Sequence, residues 1–390
     1  MRLFFLEELN MEKENITSAR QIKRSNRQKI YRYLRDHEQA SRQEIAIGLN
    51  LSYPTVTSNL NYLTEMGYIR ESSVIQNTGG RNAISYSFVK DVRKAIGVYL
   101  SGNHMDAVAV DLSGEVIMRV RRRVYFNLDS DEYLRTLGSM VDEIVRESGA
   151  NASNLLGINI ALPGLISDDG EKVSYGYSLG FTGKTKKEIC RYIKYPCSLV
   201  HDTFTFGYAE ILRWPEIDSA FYISLCSSVG GTLLMNNRVV EGSTHKCGEI
   251  GHMKVVTGDG AEKCYCGQLG CFDTVCRSGK LDSCTGGDLE LFFQRLRDHD
   301  PEAEKRWDVY LDYLAGAVSN VRILLDTRII IGGYVGAYID EYMDDLTSRI
   351  NRISTFDDPA ENYVYACRVK VEAAATGAAQ MLISRFIHSV

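Results

Sequence analysis

The spacing of apolar residues changes along this chain, and the changes divide it. From residue 26, apolar positions recur at helical intervals three times over. NRQKIYRYLRDH places Ile30, Tyr33 and Leu34 on one face of a first helix. SRQEIAIGLNL follows, with Ser41 as N-cap, Glu44 at capping-box spacing, and Ile45, Ala46 and Leu49 as the apolar face. LSYPTVTSNLNYLTEMGYI predicts a third helix. Ser52 caps it, Pro54 lies in its first turn, and Val56, Leu60 and Leu63 form its stripe. After Gly67 the pattern becomes β-like: YIRESSV and NAISYSFV flank NTGGR as a hairpin. Three helices and a hairpin outline a winged helix-turn-helix over residues 20–90.

From about Lys94 the pattern is that of an α/β protein. KAIGVYLSG, HMDAVAVDL and EVIMRVRRRVYF read as consecutive strands, with a turn at Leu112-Ser113-Gly114. SDEYLRTLGSMVDEIVRES is a helix with Leu134, Leu137, Val141, Ile144 and Val145 on one side, and LLGINIAL is a buried strand ending in Pro163-Gly164. The order then recurs: CSLVH, TFGYAEILRW, AFYISLC and GTLLMNN read as strand, helix, strand, strand. TRIIIGG is a late strand and EAAATGAAQMLISRF a terminal helix. The expected architecture is two α/β lobes with a cleft between them, over residues 94–200 and 201–370. The terminal helix, 371–390, is expected to pack back on the first lobe. Ligands in such folds sit beyond the carboxyl ends of strands. SGKLDSCTGGD, 278–288, reads as a loop of the second lobe.

Charge sharpens the division. The chain of 390 residues carries a net charge of −5, yet residues 20–90 hold 11 Lys/Arg and 5 Asp/Glu, a balance of +6 that leaves −11 elsewhere. A basic head on an acidic body suggests that only the head meets a polyanion. A winged helix-turn-helix places the start of its third helix in a major groove, which nominates Ser52, Tyr53, Thr55, Thr57, Ser58 and Asn59 as contacts to operator DNA. Arg81, at the tip of the hairpin, is placed to reach a minor groove or a phosphate. The competing reading is a small helical domain for protein contact; the short turn, the polar helix start and the positive charge together count against it. No apolar run approaches membrane-spanning length, and the acidic opening MRLFFLEELNMEKE does not suit a secretory signal, so a cytoplasmic protein without a membrane partner is expected.

Ten cysteines in that compartment should mostly be reduced. Seven are scattered and read as small buried hydrophobes. Three fall in CYCGQLGC, residues 264–271, where a disulfide, a redox pair or a metal site are the options. Redox motifs usually use C-x-x-C beside a helix start, and this spacing differs.

The run EGSTHKCGEIGHMKV followed by CYCGQLGCFD resembles the ROK family, whose name combines repressors, an open reading frame and sugar kinases. Pro163-Gly164, His201-Asp202, Gly332-Gly333 and ATGAA fall in the matching order, so the resemblance covers nearly the whole chain from residue 26. It implies an actin-like, ribonuclease-H-type sugar-kinase fold for the body. It implies a structural zinc site made by His252, Cys264, Cys266 and Cys271; one His and three Cys are also, on their own chemistry, a closed four-ligand set. It implies contacts to sugar hydroxyls from Asp202, Glu249, His252 and Asp273, with His201 and Ser178 beside them. Each carboxylate taken alone would read as a surface acid and His252 as a core histidine; their order in the motif argues otherwise. Two positions depart from the family: His201 stands where Asn is usual, and Asp273 where Glu is usual.

Family kinases open with an Asp-x-Gly-Gly-Thr loop that handles phosphate and metal. The matching stretch is Tyr99-Leu100-Ser101-Gly102-Asn103, and the second phosphate loop reads Cys226-Ser227-Ser228-Val229-Gly230-Gly231-Thr232. Phosphoryl transfer depends on such loops to position and neutralise the nucleotide. The sequence therefore predicts a sugar-responsive transcriptional repressor rather than an enzyme. It would bind duplex operator DNA as a homodimer or homotetramer and answer to a sugar or phosphosugar. The alternative is an active sugar kinase with an accessory DNA-binding head; a third reading is a regulator with a vestigial pocket that answers to a partner protein.

Overall fold

The computed structural model describes residues 19–75, 83–211, 213–214, 216–236, 238–370 and 373–390. These divide into two compact units. The first holds residues up to Lys94 with Asp111–Glu115 and Ile383–Val390; the second holds Ala95–Val110 and Val116–Leu382.

The first unit is a winged helix. Its helices are α1 (Ala19–His37), α2 (Arg42–Gly48) and α3 (Tyr53–Glu65), and strands β1 (Gln39–Ser41), β2 (Ile69–Ile75) and β3 (Ala83–Phe88) form one antiparallel sheet in the order β1-β3-β2. Its start signals act as the sequence predicts. The Ser41 hydroxyl accepts from the Glu44 amide and the Glu44 carboxylate accepts from the Ser41 amide, a complete capping box. The Ser52 hydroxyl caps α3 at the Thr55 amide. The core gathers Ile30, Tyr31, Leu34, Ile45, Val56, Leu60 and Leu63, all fully buried. Tyr31 rather than Tyr33 is the aromatic core residue of α1. Tyr33 is only half-buried and stacks on His37, with ring centroids 4.0 Å apart. The chain's last residues complete this unit: Arg27 and Gln28 of α1 donate to the carbonyls of Val390 and His388 at 2.9 and 2.8 Å, and Phe386 meets Tyr68 edge-on.

The second unit contains two five-stranded sheets, each with its own core. The first sheet runs β10-β7-β4-β5-β6, from β4 (Lys94–Leu100), β5 (Met105–Asp111), β6 (Val116–Arg122), β7 (Leu155–Leu162) and β10 (Cys197–His201). A two-stranded hairpin, β8 (Leu165–Ile166) and β9 (Val173–Tyr175), lies between β7 and β10 in sequence. Helix α4 (Asp131–Glu147) covers the first sheet with Leu134, Leu137, Val141, Ile144 and Val145 buried, the stripe that its periodicity predicts. The second sheet runs β13-β12-β11-β14-β15, from β11 (Ala220–Leu225), β12 (Val229–Met235), β13 (Arg238–Val240), β14 (Arg328–Gly332) and β15 (Val364–Ala366). Helix α5 (Asp202–Ile211) follows β10 directly. Helices α6 (Leu289–Arg297), α7 (Pro301–Leu325) and α8 (Met343–Ile353) contribute Phe293, Trp307, Leu314 and Ile350 to the second core.

The terminal helix α9 (Ala373–Ser389) begins within the second unit. There the Ala378 carbonyl accepts from Asn159 of β7 at 2.9 Å. A side chain at Gly97 of β4 would stand 1.9 Å from the Ala375 carbonyl, so this close strand–helix contact requires glycine.

Candidate functional site

A cavity of about 350 Å³ opens in the second unit, within the range that encloses small ligands. Its floor is made where β10 ends and α5 begins, the carboxyl end of a strand. His201 is the last residue of β10 and Asp202 the first of α5. Both are buried, at 8% and 7% exposure. Glu249 approaches from the second lobe: His201 Nε2 lies 3.5 Å from Asp202 Oδ1 and 3.8 Å from Glu249 Oε1. His252 continues the line, its Nε2 3.8 Å from Glu249 Oε2. The backbone at Gly248 permits this approach. Its φ of +91° is left-handed, and a side chain there would stand 2.0 Å from the Gly231 carbonyl.

Burial sets the protonation of the floor. It pushes the Asp202 carboxyl up to about 8, aided by the neighbouring Glu249 charge and opposed by hydrogen bonds from the Thr203 amide and the Tyr99 hydroxyl. Burial lifts Glu249 to about 7 against the pull of Lys246, and drops His201 to about 4. At neutral pH the floor therefore holds a neutral imidazole and a protonated Asp202 carboxyl, a set that can both donate to and accept from hydroxyl groups.

Tyr99 stands in the wall at the end of β4. Its hydroxyl hydrogen-bonds Asp202 and Tyr334. Tyr334 reaches His104 Nε2 at 3.4 Å, and that nitrogen lies 2.8 Å from Asp106 Oδ2. The stretch that begins at Tyr99 is thus bound into a buried side-chain network. The second stretch is a tight connection between β11 and β12, with Ser227, Ser228 and Gly230 on the cavity wall.

Ser178 lines the cavity and donates to the Pro163 carbonyl at 3.2 Å. Asp273 does not line it. It is fully buried beneath the wall, where its Oδ1 accepts from the Val229 amide at 2.8 Å and its Oδ2 meets no partner. Its observed contact holds the start of β12. No sequence signal marks Tyr99 as a partner of Asp202, nor Tyr175, Tyr177, Lys246 and Tyr265 as residues that also line the cavity. Tyr99, Lys246 and Tyr265 fall within stretches that the sequence singles out, but as other residues' neighbours, while Tyr175 lies outside them.

Beside the cavity, His252, Cys264, Cys266 and Cys271 bring one ligand atom each within 4.8 Å of one another. Cys264 Sγ lies 3.7 Å from His252 Nδ1, and Cys266 Sγ lies 3.7 Å from Cys271 Sγ. Metal–sulfur bonds of about 2.3 Å at tetrahedral angles put ligand sulfurs about 3.8 Å apart, so this set fits a four-coordinate ion of the zinc type. The set is closed, which suits a structural ion. His252 turns Nδ1 to the cysteines and Nε2 to the cavity. All ten cysteines are free thiols.

On the head, Ser52, Tyr53 and Ser58 are exposed at the start of α3, and Thr55 and Thr57 are partly so. Ser52 and Thr55 share a hydrogen bond of 2.8 Å within the cap, and Thr57 donates to the Tyr53 carbonyl at 2.9 Å. Asn59 does not belong to this surface: it is 1% exposed and donates to the Thr55 carbonyl at 2.8 Å. The same surface adds Lys23, Asn61 and Tyr62, with the Arg27 guanidinium 3.6 Å over the Tyr62 ring. Arg81 lies outside the described residues.

Comparison with known proteins gives the same two parts. The ROK family pattern matches residues 95–385, and a winged helix-turn-helix DNA-binding pattern matches residues 23–70. The xylose repressor of Caldicellulosiruptor bescii is 23% identical over 255 residues, which cover 65% of this chain and 63% of that repressor. The DNA-binding transcriptional dual regulator NagC of Escherichia coli K12 is 27% identical over 270 residues, covering 67% and 64%. The alignments thus span somewhat less than two thirds of those relatives. The crystal structure of a ROK family transcriptional regulator, a homologue of the E. coli MLC protein, superimposes with a TM-score of 0.72 over 94% of this chain and 97% of that one, at 21% identity.

Proposed function

This chain belongs to the ROK family, and we propose that it is a sugar-responsive DNA-binding repressor, whose body binds its effector in the cavity floored by Asp202. The observation that carries the reading is the convergence of His201, Asp202, Glu249 and His252 within 3.8 Å contacts at the end of a strand, in a chain with a winged helix at its front. The named relatives are regulators, one of them called a xylose repressor, which supports a sugar as the effector. The head would bind duplex operator DNA through Tyr53, Thr57 and Ser58, and the protein would act in the cytoplasm as a homo-oligomer with two heads on a palindromic site. Among the described residues no helix is long and apolar enough to cross a membrane.

Zinc would staple the loop that carries His252 and so fix one wall of the cavity. Sugar binding would favour one arrangement of the protein over another through its differential affinity, and DNA affinity would change with it.

A second reading, a sugar kinase with a DNA-binding head, is favoured by the retention of Asp202. Against it stands the Tyr99 hydroxyl on that carboxyl, where the family's phosphate loop carries an acid. ATP-dependent phosphorylation of a hexose, lost in Asp202→Asn, would establish the kinase. The repressor reading is tested by selecting random duplexes on the purified protein and then adding a panel of sugars to the selected complex. Recovery of a palindrome released by one sugar is expected. No selected sequence, or one that no sugar releases, would contradict the reading.

A further inference from the structure

Three exposed tyrosines, Tyr175, Tyr177 and Tyr265, line the cavity in addition to its polar floor. We propose that the cavity holds a second sugar ring outside the first, so that the effector is a disaccharide whose outer ring packs on Tyr175, Tyr177 and Tyr265. This rests on the sugar-binding reading above and extends it.

The deep end is complete by itself. His201, Asp202 and Glu249 lie within 3.8 Å of one another or of a shared neighbour, and the hydroxyls of one ring would occupy them. The three tyrosines line the same cavity yet remain 44%, 56% and 38% exposed. Each is held in place by its surroundings. Tyr175 pairs with Leu165 across the β8–β9 hairpin. The Tyr175 and Tyr177 rings lie 5.7 Å apart at 56°. Tyr265 stands between Cys264 and Cys266 and meets the His252 ring edge-on at 5.2 Å. The β8–β9 turn is tied to the segment that carries Lys246, with His245 Nε2 3.3 Å from Asp168.

Tyrosine rings offer an apolar face to the C–H surface of a pyranose and a hydroxyl to its rim. They lose little side-chain freedom when they bind, because each has only two rotatable bonds. Lys246, 5.6 Å over the Tyr175 ring, adds a donor for a hydroxyl or bridging oxygen.

The test is calorimetric titration of the full chain with cellobiose, maltose, xylobiose, chitobiose and sucrose, each against its constituent monosaccharides and their methyl glycosides. One disaccharide should bind at least about tenfold more tightly than its monosaccharide, an advantage on the scale of one or two aromatic contacts. Tyr175→Ala combined with Tyr177→Ala should erase that advantage and leave the monosaccharide affinity within about threefold. Both positions are exposed, so a melting curve that matches the parent confirms that the variant folds. Monosaccharides that bind as tightly as every disaccharide would overturn the second subsite while leaving the sugar reading intact. So would a disaccharide advantage that survives both substitutions. Failure of every sugar to bind would instead sink the sugar reading, and this inference with it.

Discussion

Asp202 is where sequence, burial and function meet most closely. Its folded pKa of about 8 lies above the ordinary 3.8, so the folded chain holds a proton there that the unfolded chain has lost. Stability should therefore fall as pH rises through that interval. His201 acts in the opposite sense. Its folded value of about 4 lies below 6.5, so its contribution raises stability with pH between those values. The two oppose each other up to pH 6.5. Above it only carboxyls remain, and Glu249, at about 7, adds to Asp202. The melting temperature should drop between pH 6.5 and 8, by at most about 2 kcal/mol of stability for Asp202 alone, and Asp202→Asn should flatten that drop. A thermal melt series against pH measures it, and a profile that rises over this interval contradicts the account. His201, Asp202, Glu249 and His252 were legible because a motif orders them, and the structure brings them together. Asp273 was legible only as a residue type two places after a cysteine; its burial depends on the β12 strand that packs over it, which no local pattern reveals. Asn59 shows the same limit. It lies on the buried side of α3, three residues after Val56, where its Nδ2 donates to the Thr55 carbonyl while its buried Oδ1 meets no partner. Asn59→Ala should accordingly cost about 1 kcal/mol of stability, while Ser58→Ala should weaken DNA binding at unchanged stability. Denaturant titrations and DNA-binding isotherms of the two variants separate these effects.

At the scale of elements, most of the architecture followed from periodicity and end signals. The switch from helical to alternating spacing after Gly67 marks the wing, and the continuous apolar run of LLGINIAL marks a strand buried on both faces. Residues 289–325 carry no assignment in the sequence reading, yet they form two helices, the longer over Pro301–Leu325. The missed signal was Asp300-Pro301: the Asp300 carboxylate accepts from the amides of Glu302 and Ala303, and proline fills the first turn. Apolar residues on several faces of that helix, buried in the second core, obscured the stripe. The cysteine loop is the element with the most at stake. Its four ligand atoms are gathered by residues 252–271, and His252 is common to loop and cavity wall. Elemental analysis should find one zinc ion per chain. Cys266→Ser should lose it and weaken sugar binding about tenfold or more, through His252 and Tyr265 rather than through any direct contact. Zinc-free protein that binds sugar as tightly as the parent would separate the two sites.

The whole molecule joins a basic head to an acidic body. The charge partition of +6 in residues 20–90 against −11 elsewhere was readable at once, and it makes a prediction that needs no knowledge of the operator. If about six phosphates are neutralised, DNA affinity should fall with a log–log salt slope of roughly −5, measured by fluorescence anisotropy; a slope near zero contradicts DNA binding by this surface. What the sequence could not supply was the side-chain network behind Tyr99, because Tyr334, which joins Tyr99 to His104, lies 230 residues beyond His104 and meets the 99–106 segment only in the folded body. That network bears on the central claim, that the kinase-like body senses a sugar without acting on it. Thermal unfolding of the purified chain against a panel of mono- and disaccharides, with and without ATP, tests that claim most directly. One sugar is expected to raise the melting temperature alone, by about 2.7 kcal/mol of stability at a hundred times its dissociation constant, and ATP to add nothing. No shift with any sugar, or a shift that requires ATP, would contradict it.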